Sequence, residues 1–186
     1  MRIRNIFIFL LLLFVALIIL VVASISLHKI AFYIVPTDGM KPSMNRGDHI
    51  ICEGYSLWFH APRQAEILAF KTDYTPTLPQ HEIYIRRIVA VPGDTLTLIN
   101  GRIYANGNEI ASEQLQWPVA YKPDPSFKFL RNNNDTVHVP EDRYFVLGDN
   151  IAHSVDSRLY GFIESRAFTS KPLFCFWPPD RIGWIK

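Results

Sequence analysis

From residue 6 to residue 26 the chain carries no charged side chain. As a helix rising ~1.5 Å per residue this stretch is about 31 Å long, the thickness of a bilayer's hydrocarbon core. It therefore predicts a transmembrane helix, and whatever follows must fold beside a membrane. A cleavable signal peptide is the rival reading, because Val22-Ala23-Ser24 offers small residues. The run, however, exceeds the ~7–15 residues of a signal peptide's apolar region, which favours a retained anchor. Arg2 and Arg4 precede the span, and His28 and Lys29 follow it. This weak bias of positive charge predicts a cytoplasmic N-terminus. The expectation is a single-pass plasma (inner) membrane protein, with residues 1–28 as basic flank and anchor and residues 29–186 as an extracytoplasmic domain.

Those later residues suffice for one domain of ordinary size. In the whole chain 19 Lys and Arg face 17 Asp and Glu, a formal net charge of +2 without a concentrated basic face. Nucleic acid is excluded as an expected partner on that ground. Cys52 and Cys175 lie far apart and lack the neighbouring Cys or His of a zinc site. Two buried free thiols are expected there, with a disulfide as the alternative outside the cytoplasm. His49, His60, His81 and His138 are isolated and show no metal-ligand spacing. Neither metal nor other cofactor is predicted.

Beyond the anchor no long 3.6-residue apolar period occurs. Residues 30–35, 49–52, 66–70, 83–91 and 143–147 are rich in β-branched and aromatic side chains and bounded by Gly, Pro or Asp, which reads as strands. The domain is predicted to be mainly β. Asn100-Gly101 and Asn106-Gly107 flank Arg102-Ile103-Tyr104-Ala105, a double hairpin signal, because Asn-Gly accepts the positive φ angles of type I′ turns. Residues 114–136 are polar, proline-bearing and asparagine-rich and are predicted to be a surface insertion. Two aromatic clusters remain. The one at Tyr55, Leu57, Trp58 and Phe59 is expected at the lipid headgroups. The one at Phe174, Cys175, Phe176, Trp177, Trp184 and Ile185 is expected to pack in the core.

Three further segments carry the chemistry. They read Pro36-Thr37-Asp38-Gly39-Met40-Lys41-Pro42, then Tyr84-Ile85-Arg86-Arg87-Ile88-Val89-Ala90-Val91-Pro92-Gly93-Asp94, then Gly148-Asp149-Asn150-Ile151-Ala152-His153-Ser154-Val155-Asp156-Ser157-Arg158. In order, in spacing and in following an apolar anchor they resemble the type I signal peptidases, whose stretches read S-x-S-M-x-P, Y-I-K-R-x-V-G-x-P-G-D and G-D-N-x-x-x-S-x-D-S-R. The resemblance spans essentially the whole chain and implies a signal peptidase-type β-sheet or barrel-like domain. It also implies that the second Ser of the first motif is the nucleophile and the Lys of the second its general base. Gly39 and Arg86 stand at those two positions.

A Ser/Lys protease needs a hydroxyl whose proton passes to a neutral amine, and donors aimed at the oxyanion formed on attack. Glycine has no hydroxyl, and an arginine side chain stays protonated and cannot take the proton. The rest of the family pattern persists. By resemblance Thr37 and the backbone N–H of Gly39 are the oxyanion donors, and Met40 and Pro42 match M-x-P. Asp149 keeps its place in G-D-N, Ser154 matches the Ser that orients the family's Lys, and Asp156 and Arg158 match a structural ion pair. Ile151, Ala152 and His153 depart from the usual R-D-N. Lys41 reads as a solvated charge and Ser43 as a turn residue.

The leading expectation is a signal peptidase-like protein with a degenerate dyad. In that family the reaction removes signal peptides after small residues. The alternatives are a non-cleaving partner of precursors or of an active signal peptidase, and a peptidase with relocated chemistry, Thr37 acting as nucleophile and His153 as base. Expected partners are signal-peptide-bearing precursors, the lipid bilayer and an active signal peptidase.

Overall fold

In the computed structural model, residues 2–26, 29–110, 124 and 126–185 are described. Helix α1 (Arg2–Ser26) contains an apolar stretch, Asn5–Ser24, long enough to cross a bilayer, with a mean hydropathy of 3.6 and its large apolar side chains exposed. Such a helix is consistent with a membrane anchor. Its end is tied to the domain, because the Tyr55 hydroxyl bonds the Ser24 hydroxyl and Lys29 N donates to Ser24 O over 2.9 Å.

The domain is mainly β and consists of two sheets. In the larger sheet run β1 (Ile30–Ile34), β2 (His49–Glu53), β3 (Ile67–Lys71), β4 (Ile83–Ala90), β9 (Arg143–Leu147), β10 (Ile163–Glu164), β11 (Phe168–Trp177) and β12 (Gly183–Trp184). Their spatial order is β1-β2-β11-β3-β4-β9-β10, with β12 beside β11, and every pairing is antiparallel. The smaller sheet orders β7 (Asn108–Glu109), β6 (Arg102–Ala105), β5 (Thr95–Ile99) and β8 (Thr136–His138). Helices α2 (Ser56–Phe59) and α3 (Ser157–Tyr160) are single turns. Each of the five predicted strands forms, with ends shifted by a residue at most. Both Asn-Gly turns form too, with φ of 49° and 75° at Asn100 and Gly101 and 50° and 80° at Asn106 and Gly107.

The longest strand is one the sequence hides. Proline lacks the ladder N–H and argues against a central strand, yet Pro172 sits in the middle of β11, at a point where the pairing with β3 has already ended at Ser170 and β2 continues alongside. The register with β2 shifts between Pro172 and Phe174, so a bulge absorbs the missing donor.

Two expectations need correction. Residues 114–123 and 125 lie outside the described residues, but the later part of the supposed surface insertion enters the core. Leu130 is wholly buried among Val89, Leu98 and Phe145, with Phe127 and Phe129 packed against the same cluster. Three apolar side chains spaced among polar ones suffice to pin this loop, and local polarity concealed them. The C-terminal cluster, predicted to be core, is largely exposed: Trp177 is 52% and Trp184 73% accessible. Only Cys175 of the predicted group is buried. Phe176 instead makes edge contacts with Phe32 at 6.2 Å and His49 at 5.7 Å, and both phenyl rings are exposed. Trp58 and Phe59 are exposed beside the end of the anchor, with the Lys29 ammonium 3.8 Å from the Trp58 ring centre.

Cys52 and Cys175 are free and buried. Burial pushes the Cys52 thiol up to about 12, against a weaker lowering by Ser170.

Candidate functional site

The three motifs, distant in sequence, meet at one end of β4. The first forms the turn between β1 and β2, the second is β4 itself, and the third leaves β9. Asn150 fastens the third to the first: its backbone N donates to Gly39 O over 3.1 Å and its side-chain amide to Asp38 O over 3.0 Å. Gly148 makes this crossing possible. A Cβ there would collide with the Ser154 side chain and the Gly39 carbonyl, so only glycine permits the approach.

Beneath the crossing lies a buried ion pair absent from the sequence reading. Arg87 meets Asp149 through two parallel bonds, Nε to Oδ1 at 2.8 Å and Nη2 to Oδ2 at 2.7 Å, with both side chains at most 1% accessible. Ser43 Oγ donates to the same carboxylate over 2.5 Å and accepts from Arg87 Nη2 at 3.1 Å, while Arg87 Nη1 donates to Ala65 O over 2.8 Å. Such a bidentate pair with its outer bonds filled is the arrangement that makes a buried charge tolerable. Ser43 thus does more than turn the chain. The sequence signal was available in the Arg and the Asp of two of the motifs, but nothing local says that they face each other.

Asp156 and Arg158 form a second pair, Nε to Oδ1 at 2.7 Å and Nη2 to Oδ2 at 2.8 Å. Asp156 also caps α3 by accepting from Arg158 N and takes a bond from Gly148 N at 3.2 Å. It therefore fixes both ends of the loop that carries His153 and Ser154.

Gly39 is buried, and its φ is not in the left-handed region. A Cβ at this position would lie 3.6 Å from His153 O, 3.7 Å from Arg86 Nη2 and 3.7 Å from Thr37 Oγ1. These are ordinary contacts, so a small side chain fits without strain and the predicted residues do surround one point. Arg86 is 8% accessible. Its Nε and Nη2 donate to Val155 O at 3.0 and 2.8 Å, and Nη1 donates to Ile85 O at 2.6 Å. No carboxylate lies within ion-pair distance of it among the described residues. The Ser154 hydroxyl is buried and has no hydrogen-bond partner. Met40 is in the core with Met44 and Ile50, and Pro42 follows a cis peptide bond. Lys41 is exposed and pairs with Asp38 at 3.2 Å, as a solvated charge does.

Alongside this point runs a cavity of about 400 Å³, lined by residues 33–37 from β1 onwards and residues 82–86 from β4, with Met40, Met44, His153 and Val155. The β3 edge pairs with residues 83–87 of β4, but β9 begins its pairing only at Arg87. The other side of residues 83–86 is thus open towards the cavity, and β1 is the sheet's edge strand. Thr37 and His153 both line the cavity. Among the described residues no three His, Cys, Asp or Glu side chains gather in a metal-binding group.

Residues 6–177 match the family described as signal peptidase, peptidase S26. Over 152 residues the chain is 32% identical to a probable signal peptidase I-2 of Synechocystis, covering 81% of this chain and 65% of that one. A probable signal peptidase I-1 of the same organism is also 32% identical, over 81% of this chain and 73% of its own length. A signal peptidase I of Enterococcus faecalis known from a crystal structure is 26% identical, with a TM-score of 0.46 over 60% of this chain and 97% of that one. With the family match over residues 6–177, and the three motifs gathered at one cavity on a mainly β domain, this chain belongs to the signal peptidase family, peptidase S26.

Proposed function

We propose that this protein is a member of the secretion machinery that binds signal-peptide segments of precursors in the β1–β4 cavity without cleaving them. The observation that carries this reading is the composition of the point next to Gly39, where a protease needs a hydroxyl and a neutral amine. Gly39 supplies no side chain, and the nearest cation is Arg86, three of whose N–H groups are already committed to Val155 O and Ile85 O. The binding function has support of its own. Two strand segments with an open side line one cavity, the geometry in which an extended peptide adds to a sheet edge. The anchor, with a cytoplasmic N-terminus, holds the cavity on the outer face of the membrane, where precursors emerge. Trp58 and Phe59 rest at the headgroups, and an active signal peptidase is the natural recipient of bound precursors.

The test is restoration. Gly39→Ser is sterically admissible, and Arg86→Lys introduces an amine that the unpartnered Ser154 hydroxyl can orient, beside Thr37 and the backbone N–H of residue 39. The wild type is expected to leave a precursor with an Ala-x-Ala site uncut, the double variant to cut it, and neither single variant to do so, because nucleophile and base act as a unit. Wild-type processing at a rate of order 1 per second, abolished by Thr37→Val, would overturn the reading in favour of relocated catalysis.

A further inference from the structure

We infer that the altered site is also a receptor for a peptide's free C-terminal carboxylate, so that the cavity, besides binding the segment within a precursor, holds it more tightly once it has been cleaved. This rests on the cavity's being a peptide groove and names which peptide it takes.

The argument begins with charge. Arg86 is almost completely buried, and its contacts are carbonyl oxygens at Val155 and Ile85, with the face of Tyr84 5.4 Å away. Carbonyls orient a guanidinium but leave its formal charge unbalanced, and burying a cation without a counter-charge is costly. Of the five N–H groups of an arginine, two on Arg86 have no hydrogen-bond partner among the described residues. Nη2 borders the space that a side chain on Gly39 would occupy, at 3.7 Å, and Thr37 Oγ1 borders the same space at 3.7 Å. Because residue 39 is glycine, no side chain stands between these two groups and the cavity that both residues line. It is walled by a cation and a hydroxyl donor, and the wall is rigid: Val155 O and the clamped loop fix the guanidinium, and Asn150 fixes the Gly39 backbone. A planar anion with two acceptor oxygens matches a fixed guanidinium edge.

The carboxylate belongs to a chain end rather than to a side chain because of what surrounds it. The third wall is His153 O, at 3.6 Å from the same point. It repels a carboxylate oxygen but accepts a hydrogen bond from the amide N–H of the residue that bears it. The cavity leads away from this point along β4 to Glu82, some 13 Å distant at ~3.3 Å per residue. A cation at one end and a carboxylate at the other orient an extended peptide with its C-terminus at Arg86. A chain that continued past the bond would have to place an uncharged peptide unit against the buried guanidinium.

The experiment compares three fluorescent peptides on the detergent-solubilised full chain by anisotropy. One ends in Ala-Gln-Ala with a free carboxylate, the second is its C-terminal amide, and the third continues beyond the last Ala. The free acid is expected to bind at least ~10-fold more tightly than either of the others, the difference one charge-assisted contact makes. Arg86→Gln should bring the acid down to the level of the amide without changing the amide, and Arg86→Lys should restore part of the preference. Equal binding of the three peptides by the wild type overturns the carboxylate inference and leaves the peptide groove standing. Failure of all three to bind overturns both. The wild-type comparison needs no variant to fold.

Discussion

Arg87 reaches Asp149 through two hydrogen bonds and also bonds Ser43 and Ala65, whereas Arg86, one residue earlier on β4, is nearly as buried but hydrogen-bonds backbone carbonyls and meets no carboxylate among the described residues. Successive residues of a strand point to opposite sides, so the two guanidinium groups serve two different faces of the sheet. On one face the charge is neutralised inside the protein and joins the first, second and third motifs into a frame. On the other it is held without a counter-ion at the wall of a cavity. A scaffold and a site thus differ less in residue type or burial than in whether the protein itself completes the electrostatics.

The comparison can be broken from either side. The largest effect belongs to the frame: Asp149→Ala removes the carboxylate that balances the buried Arg87 charge, and should destabilise the domain by ~3–5 kcal/mol. Thermal or denaturant unfolding would register that as a large fall in midpoint, and a loss below ~1 kcal/mol would show the pair to be dispensable. Arg86→Met should change stability by no more than ~1 kcal/mol, because the lost bonds to Val155 O are offset by removing an unbalanced buried charge. If instead it matched Asp149→Ala, the two arginines would be equivalent and the distinction between frame and site would fail.

The smallest effect is at Cys52, in the core cluster with Met40 and Met44, where burial sets the chemistry. The thiol, raised to about 12 in the folded state from an ordinary value of 9, should resist alkylation at pH 8 until the protein unfolds. Its folded value lies above its unfolded one, so its contribution to stability is complete below pH 9 and is lost as the pH rises from 9 towards 12. Rapid labelling of Cys52 in the folded protein at pH 8 would contradict this.

Much of the molecule is readable along the chain, wherever the cause is local. The anchor follows from an uncharged run long enough for a bilayer, the five strands from short β-branched and aromatic stretches between breakers, and the two hairpins from Asn-Gly. What escapes is what depends on partners. Pro172 in β11 argues against a strand until the pairing with β3 is seen to end at Ser170 and a bulge in β11 follows the proline. Leu130 looks like part of a polar loop until Val89 and Phe145 cover it. Trp177 and Trp184 look like core until the fold leaves both side chains exposed.

The same division holds for the site. The sequence by itself determined that residue 39 has no hydroxyl and that residue 86 is a permanent cation, since both follow from covalent structure. It also brought the motifs into a recognisable order. Only the tertiary structure decided that Gly39 has room for a side chain, that Arg86 lacks a counter-ion while Arg87 has one, and that both arginines stand where three loops cross. Those properties are distances between residues 40 to 110 positions apart, and electrostatics and packing depend on distance in space, for which position along the chain is no guide.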